Sequence, residues 1–219
     1  MKRSKFDYLS VNPKDYALKE KRKYIRQRSK KGYCDKDVWN IDMWFLHIMP
    51  RMLEELKKQH MGWPMMLIEE YYELNKDKIS LDKTDFCNYA DYPLHEDLYK
   101  KAEEWQNNRW NEVLEKMIFL FDESNEETCQ VKNEFGDDYN KASAEFRDKY
   151  GVLGQGLATD EEREIKNGSI RLHSMEEVPM YKDINEKYFI REAEIIQYRE
   201  KCKREALEMF VKYFDGLWD

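Results

Sequence analysis

Only eight glycines and five prolines punctuate these 219 residues, and that scarcity most narrows the folds open to the chain. A sandwich or barrel of short strands needs turn residues at close, regular intervals, whereas long helices need them only at their ends. An all-α fold follows as the expectation. The mean hydropathy of -0.97 is very low, but six Trp, fifteen Tyr and ten Phe supply core bulk without many aliphatic side chains. The longest apolar run, Trp63–Ile68, is far too short to cross a bilayer. No apolar stretch marks the start of the chain, so no secretory leader is expected. The cysteines Cys34, Cys87, Cys129 and Cys202 form no CxxC pair, which favours free thiols in a reducing cytoplasm over a zinc knuckle or a disulfide framework.

Periodicity divides the chain into helices. Asn12-Pro13 is a helix start, and Gly32 a stop for a basic helix with a narrow apolar stripe. A second helix begins near Asp35 or Asp37, with Val38, Ile41, Phe45, Ile48, Met52 and Leu56 on one face, widened by Trp44, Met49 and Leu53, and a kink at Pro50. Met65–Asn75 reads as a short helix and Asp82–Pro93 as irregular. A long helix covers about 96–123, with Leu98, Ala102, Trp105, Val113, Met117, Leu120 and Phe121 inward. Ser124 with Glu127, and Thr159 with Glu162, read as capping boxes that open new helices. Further helices are expected over about 134–150 and 182–214, the latter with Ile184, Tyr188, Ile195, Cys202, Met209, Phe210, Tyr213 and Phe214 inward. The Gly151–Gly156 stretch reads as a turn, and Ile170–His173 as one brief strand. The expected architecture is a single helical domain of three or four long packed helices. It comprises a basic N-terminal arm over 1–32 and an acidic body over 33–219, with a looser insertion at about 124–181.

Charge is unevenly spread. Residues 1–31 carry twelve Lys/Arg against three acids, or +9, and the remaining 188 carry 26 against 42, or -16. Such an arm either meets phosphates or folds back onto the acidic body. Within it Lys21, Arg22, Lys23, Arg26 and Arg28 are candidate contacts, and Trp39 follows closely. Trp105-Gln-Asn-Asn-Arg-Trp110 places Arg109 beside two indoles, a pattern able to stack a base or hold a cation. The competing reading of these tryptophans, and the favoured one, is helix packing in an aliphatic-poor core. The acidic body could itself imitate a phosphate backbone, although ordinary solubility accounts for it as well.

Catalytic signatures are sparse. Glu69, Glu70, Glu73, Glu112 and Glu115 include two ExxE pairs, Glu70 with Glu73 and Glu112 with Glu115, a spacing that puts two carboxylates on one helix face as a divalent ion on a triphosphate requires. The closing Asp of an all-α pyrophosphohydrolase pattern is missing. In so acidic a chain a solvated face is the plainer account. His47, His60, His95 and His173 form no HExxH or ExxH. No GxSxG, phosphate loop or dinucleotide fingerprint occurs.

Three blocks, Lys31–Asp42, Glu112–Phe119 and Met209–Asp219, together with the Gly62-Trp63-Pro64 turn, resemble an uncharacterised family of short helical proteins encoded by bacteriophages. The resemblance implies a phage origin and a helical fold, and it brings no catalytic residues. The resulting expectation is a non-enzymatic accessory protein in the cytoplasm of a bacterial host. It would bind a host or viral protein, such as a defence component it inhibits, with no cofactor and no membrane. Two alternatives stand beside it. One is a nucleic-acid or nucleotide binder acting through the arm and tryptophans; the other is a Mg²⁺- or Mn²⁺-dependent nucleotide hydrolase using the glutamates.

Overall fold

The structure, a computed structural model, describes residues 18–163 and 172–218. Among these residues it is all-α, with helices α1 (Leu18–Lys31), α2 (Asp35–Trp39), α3 (Ile41–Gln59), α4 (Met66–Asn75), α5 (Lys83–Cys87), α6 (Glu96–Ser124), α7 (Gly136–Tyr150), α8 (Asp160–Arg163) and α9 (Pro179–Lys212). The chain divides into two compact units, Met1–Cys129 with Lys201–Asp219, and Gln130–Glu200. Helix α9 therefore contributes residues to both. The Asn12-Pro13 start lies outside the described residues.

The first unit is built on α3 packed against α6. Along α6 the buried residues Tyr99, Ala102, Gln106, Trp110, Val113, Leu114, Met117, Leu120 and Phe121 recur at steps of three and four, the stripe expected of a helix with one face in a core. Phe45, Phe121 and Phe210 meet edge-on, with ring centroids 5.6 to 6.3 Å apart. A second aromatic stack forms where the sequence reads as irregular. Asp82 caps α5 by accepting from the Asp85 N–H. Tyr71, Tyr72, Tyr89, Tyr92 and Tyr99 then gather around Phe86 and one another. Tyr89 and Asp91 take left-handed backbone angles to make that turn.

Several expectations are corrected here. Asn40 leaves the helical region (φ -134°, ψ 62°) and separates α2 from α3, which resets the helical phase. That break takes Val38, which is exposed, off the face of α3. Within α3 itself the most buried residues are Leu46, Pro50 and Leu53, with Phe45, Ile48 and Leu56 half-buried and Ile41 and Met52 exposed, so the buried stripe is displaced toward the Leu53 side of the expected face. Ser124 ends a helix rather than starting one, because its hydroxyl donates to the Phe121 carbonyl. Asn125 shapes the following turn by accepting from the Glu127 N–H. Phe214 points to solvent, and the buried position that the spacing missed is Ala206.

The second unit gathers Phe146, Met175, Val178 and Tyr181 into a core, flanked by Tyr139, Tyr150 and Ile184. Tyr139 and Tyr188 stack at 3.9 Å. Asn133 donates to the Tyr188 carbonyl and to Glu192. The Thr159–Glu162 capping box is present in both directions. Gly151 and Gly154 adopt positive φ, and a Cβ on Gly154 would stand 2.5 Å from the His173 carbonyl oxygen. Leu172 and His173 lie in no strand, and Ile170 and Arg171 fall outside the described residues. The His173 ring, nearly buried, lies between Glu177 (2.9 Å) and Glu162 (3.2 Å).

Candidate functional site

Helix α1 is a short basic rod attached on one side. At 100° per residue, Tyr24, Ile25 and Arg28 share one face, and these are half-buried, as is Gln27 at its edge. Lys19, Arg22, Lys23, Arg26 and Lys30 fall on the opposite face within an arc of about 100° and a length of about 16 Å. The attachment is polar. Asp37, at 2% exposure, accepts from Arg28 through Nη2 (2.7 Å) and Nε (3.1 Å) and from the Cys34 N–H (2.7 Å). Burial pushes the Asp37 carboxyl up, but the Arg28 guanidinium and the Cys34 N–H outweigh it, so its pKa is lowered. At the edge of the cationic face, Asp35 accepts from Gln27 (2.7 Å) and pairs with Lys23 (3.0 Å). Those bonds lower the pKa of Asp35 and raise that of Lys23. Lys19, Arg22, Arg26 and Lys30 have no ion-pair partner among the described residues. The arm's described ion pairs thus go to α2, leaving most of its charge open to solvent.

The candidate contact residues separate into two places. Lys21, Arg22, Lys23, Arg26, Arg28 and Trp39 belong to α1 and α2. Lys21 lies on the side away from the cationic row, and Arg28 is committed to Asp37. Trp105, Arg109 and Trp110 lie on α6, where they hold the fold. Trp110 is fully buried and packs against Tyr213 at 5.7 Å. Trp105 is half-buried against Tyr71 at 5.5 Å. Arg109 sits between Glu70 (3.3 Å) and Glu112 (3.1 Å). No open indole–guanidinium platform exists there.

The glutamates are neutralised one by one. Glu70 and Glu112 meet on Arg109. Glu69 and Glu73 meet on Lys83, at 3.1 and 3.4 Å. Glu115 takes Lys57. A divalent ion needs carboxylates converging on one point at 2.0–2.6 Å, and a basic side chain occupies each convergence. Among the described residues no group of three or more His, Cys, Asp or Glu is placed to hold a metal.

Two further features of the first unit escaped the sequence reading. Met61, Trp63, Met65, Met66, Tyr213 and Trp218 line a groove of about 600 Å³, with Met61 at 90%, Met65 at 71% and Trp218 at 73% exposure. Its floor is the meeting of the Gly62–Pro64 turn with Gly216, where a Cβ would stand 2.2 Å from Pro64 Cγ. The other is a polar cluster at the end of α6. There His47 Nδ1 bonds the Met43 carbonyl and Nε2 faces Glu127, while the Cys129 thiol donates to buried Glu123. Burial raises the Asp122 carboxyl beside it, against the pull of Arg51.

No known family model, no curated protein and no solved structure matches the chain. No helix among the described residues is long and apolar enough to cross a membrane.

Proposed function

We propose that this chain is a phage-type accessory protein that works by binding, and that the cationic face of α1 is its contact with a polyanion, a nucleic acid. One observation carries the reading. Lys19, Arg22, Arg26 and Lys30 form a row with no ion-pair partner among the described residues, beside Lys23, which Asp35 of α2 holds at the edge of the same face, and away from Arg28, which Asp37 holds. Unpaired cations in a row attract phosphates and release their counterions. The -16 of residues 32–219 repels the same partner, so a polyanion is steered to this face and away from the others. The test is charge reversal by K19E/R22E/R26E/K30E, with binding to a labelled 20-nucleotide oligonucleotide followed by anisotropy across a salt series. The wild type should lose affinity with salt at a log–log slope of about -3 to -4, as four or five phosphate contacts require. The variant should bind at least tenfold more weakly with a slope near zero, at unchanged helix content. Equal affinity in the two proteins would remove α1 as the contact.

A second reading, binding of a host or viral protein, is favoured by the groove around Met61, Met65 and Trp218. Methionine side chains adapt to differently shaped apolar partners, and tryptophan anchors them. Met65→Glu with Trp218→Glu should abolish a bacterial partner that the wild type retains from lysate. An unchanged set of partners would set this reading aside.

A further inference from the structure

We propose that the nucleic acid is single-stranded, and that one of its bases stacks on Trp39 at the edge of the cationic row. The inference rests on α1 as the polyanion contact and adds the form of the partner. Its first support is exposure. Trp39 is 84% exposed, and the neighbouring Val38 and Ile41 are more than half exposed. Its indole N–H has no partner among the described residues, whereas Trp218, the other open indole, donates to the Asp215 carbonyl. Soluble proteins rarely leave a large ring so bare next to further apolar side chains unless something covers it.

The second support is register. On α2, Asp35 and Trp39 are four residues apart and so share a face, one turn from each other. Asp35 is bonded to Lys23 and Gln27, which flank the row on α1. The indole therefore stands one turn along α2 from Asp35, the residue that holds the edge of the cationic face. Its base is also fixed: Arg28 and the Cys34 N–H grip Asp37, two residues before Trp39. The backbone that carries the ring is thus already ordered, and only the side-chain rotamer remains to be fixed on binding.

The third support is chemical. A duplex offers phosphates but turns its base faces inward, while a single strand offers phosphates and open faces together. Cations beside a bare indole match the second and exceed what the first needs. Stacking on one ring with phosphates on four or five cations gives binding with little sequence preference. The shared chemistry is that of single-stranded DNA and RNA, and parallel probes separate the two.

The experiment uses the full chain with four probes of twenty units: oligo(dT), oligo(U), a mixed-sequence duplex and an abasic phosphodiester. The single strands should bind more tightly than the duplex at equal nucleotide concentration, although the duplex carries the denser charge. They should also quench tryptophan fluorescence. Trp39→Ala should remove most of that quench and weaken single-strand binding roughly tenfold, the loss of one stacked base. It should leave the salt slope and the duplex affinity unchanged, and Trp39→Phe should restore part of the loss. If oligo(dT), duplex and abasic strand bind alike and Trp39→Ala binds as the wild type does, the stacking proposal is overturned while the polyanion contact stands. If no probe binds, or binding is indifferent to both Trp39→Ala and the K19E/R22E/R26E/K30E reversal, both fall.

Discussion

Asp37 has the largest consequence of any single side chain for the α1 surface. It is nearly buried, and its two oxygens take the Arg28 fork and one backbone donor. Removing one member of such a pair strands the other, which costs about 3–5 kcal/mol where the survivor stays buried. Arg28 lies on an outer helix and can swing into water, so the loss should appear as release of α1 rather than global unfolding. Asp37→Ala is expected to abolish hydrogen-exchange protection across α1 while that of α3 and α6 persists. Intact protection in α1 would show that the Asp35 bonds and the apolar contacts hold it without Asp37. The pH dependence follows from the direction of the shift. The folded carboxyl titrates below its unfolded value, so its stabilisation is complete above the ordinary Asp range near 4. It is lost as pH falls through the lowered folded pKa. The wild-type α1 should therefore stay docked at neutral and mildly acidic pH and loosen only in strong acid, while Asp37→Ala should be loose throughout.

The legibility of the elements varied with what ends them. Helices α6, α7 and α9 could be read directly, because long 3.6-residue stripes dominate any local ambiguity. The break at Asn40 could not. Its neighbours continue an apolar pattern, and a single residue leaving the helical region shifts the phase of everything after it. The Ser124–Glu127 pair shows the same limit from the other side, since a hydroxyl that caps a start can equally bond back to the preceding turn. Basic residues crowded into α1 marked it as a candidate surface. What the sequence left open was which of its faces is covered, because that depends on Asp35 and Asp37 of the next helix. Equally, Trp39 and Trp110 are both tryptophans near an arginine or lysine, and only packing makes one bare and the other fully buried. At this scale one contact invites a direct test. The C-terminal turn lies against the Gly62–Pro64 turn so closely that a methyl on Gly216 would overlap Pro64. Gly216→Ala should lower stability by about 1–3 kcal/mol, the ordinary cost of overpacking, and change the emission of the groove tryptophans. A melting temperature equal to that of the wild type would mean the turn simply shifts to make room.

Across the whole molecule, the two units are divided at positions that differ from the limits, about 124 and 181, read for the looser insertion. One boundary falls between Cys129 and Gln130 and the other between Glu200 and Lys201, inside a continuous helix. Neither is a Gly- or Pro-rich linker, so composition offers no signal there. Each unit nevertheless has its own apolar cluster: Ile68, Ile79, Phe86, Tyr99 and Ala102 in the first, and Phe146, Met175, Val178 and Tyr181 in the second. Separate cores imply separately cooperative blocks, since protection follows the contacts that must break for an amide to open. Phe146 is the lever for testing this. It is nearly buried, 5.3 Å from the Tyr150 ring and 5.9 Å from Tyr181. Truncation to alanine should cost about 3–5 kcal/mol. If the blocks are independent, Phe146→Ala lowers native-state exchange protection in α7 and over residues 175–184 by that amount and leaves α3 and α6 unaltered. The cationic surface on α1 would then keep its affinity for oligonucleotide in a protein whose second unit is largely open. Equal losses of protection in α3 and α6 would instead mean that the two cores unfold together.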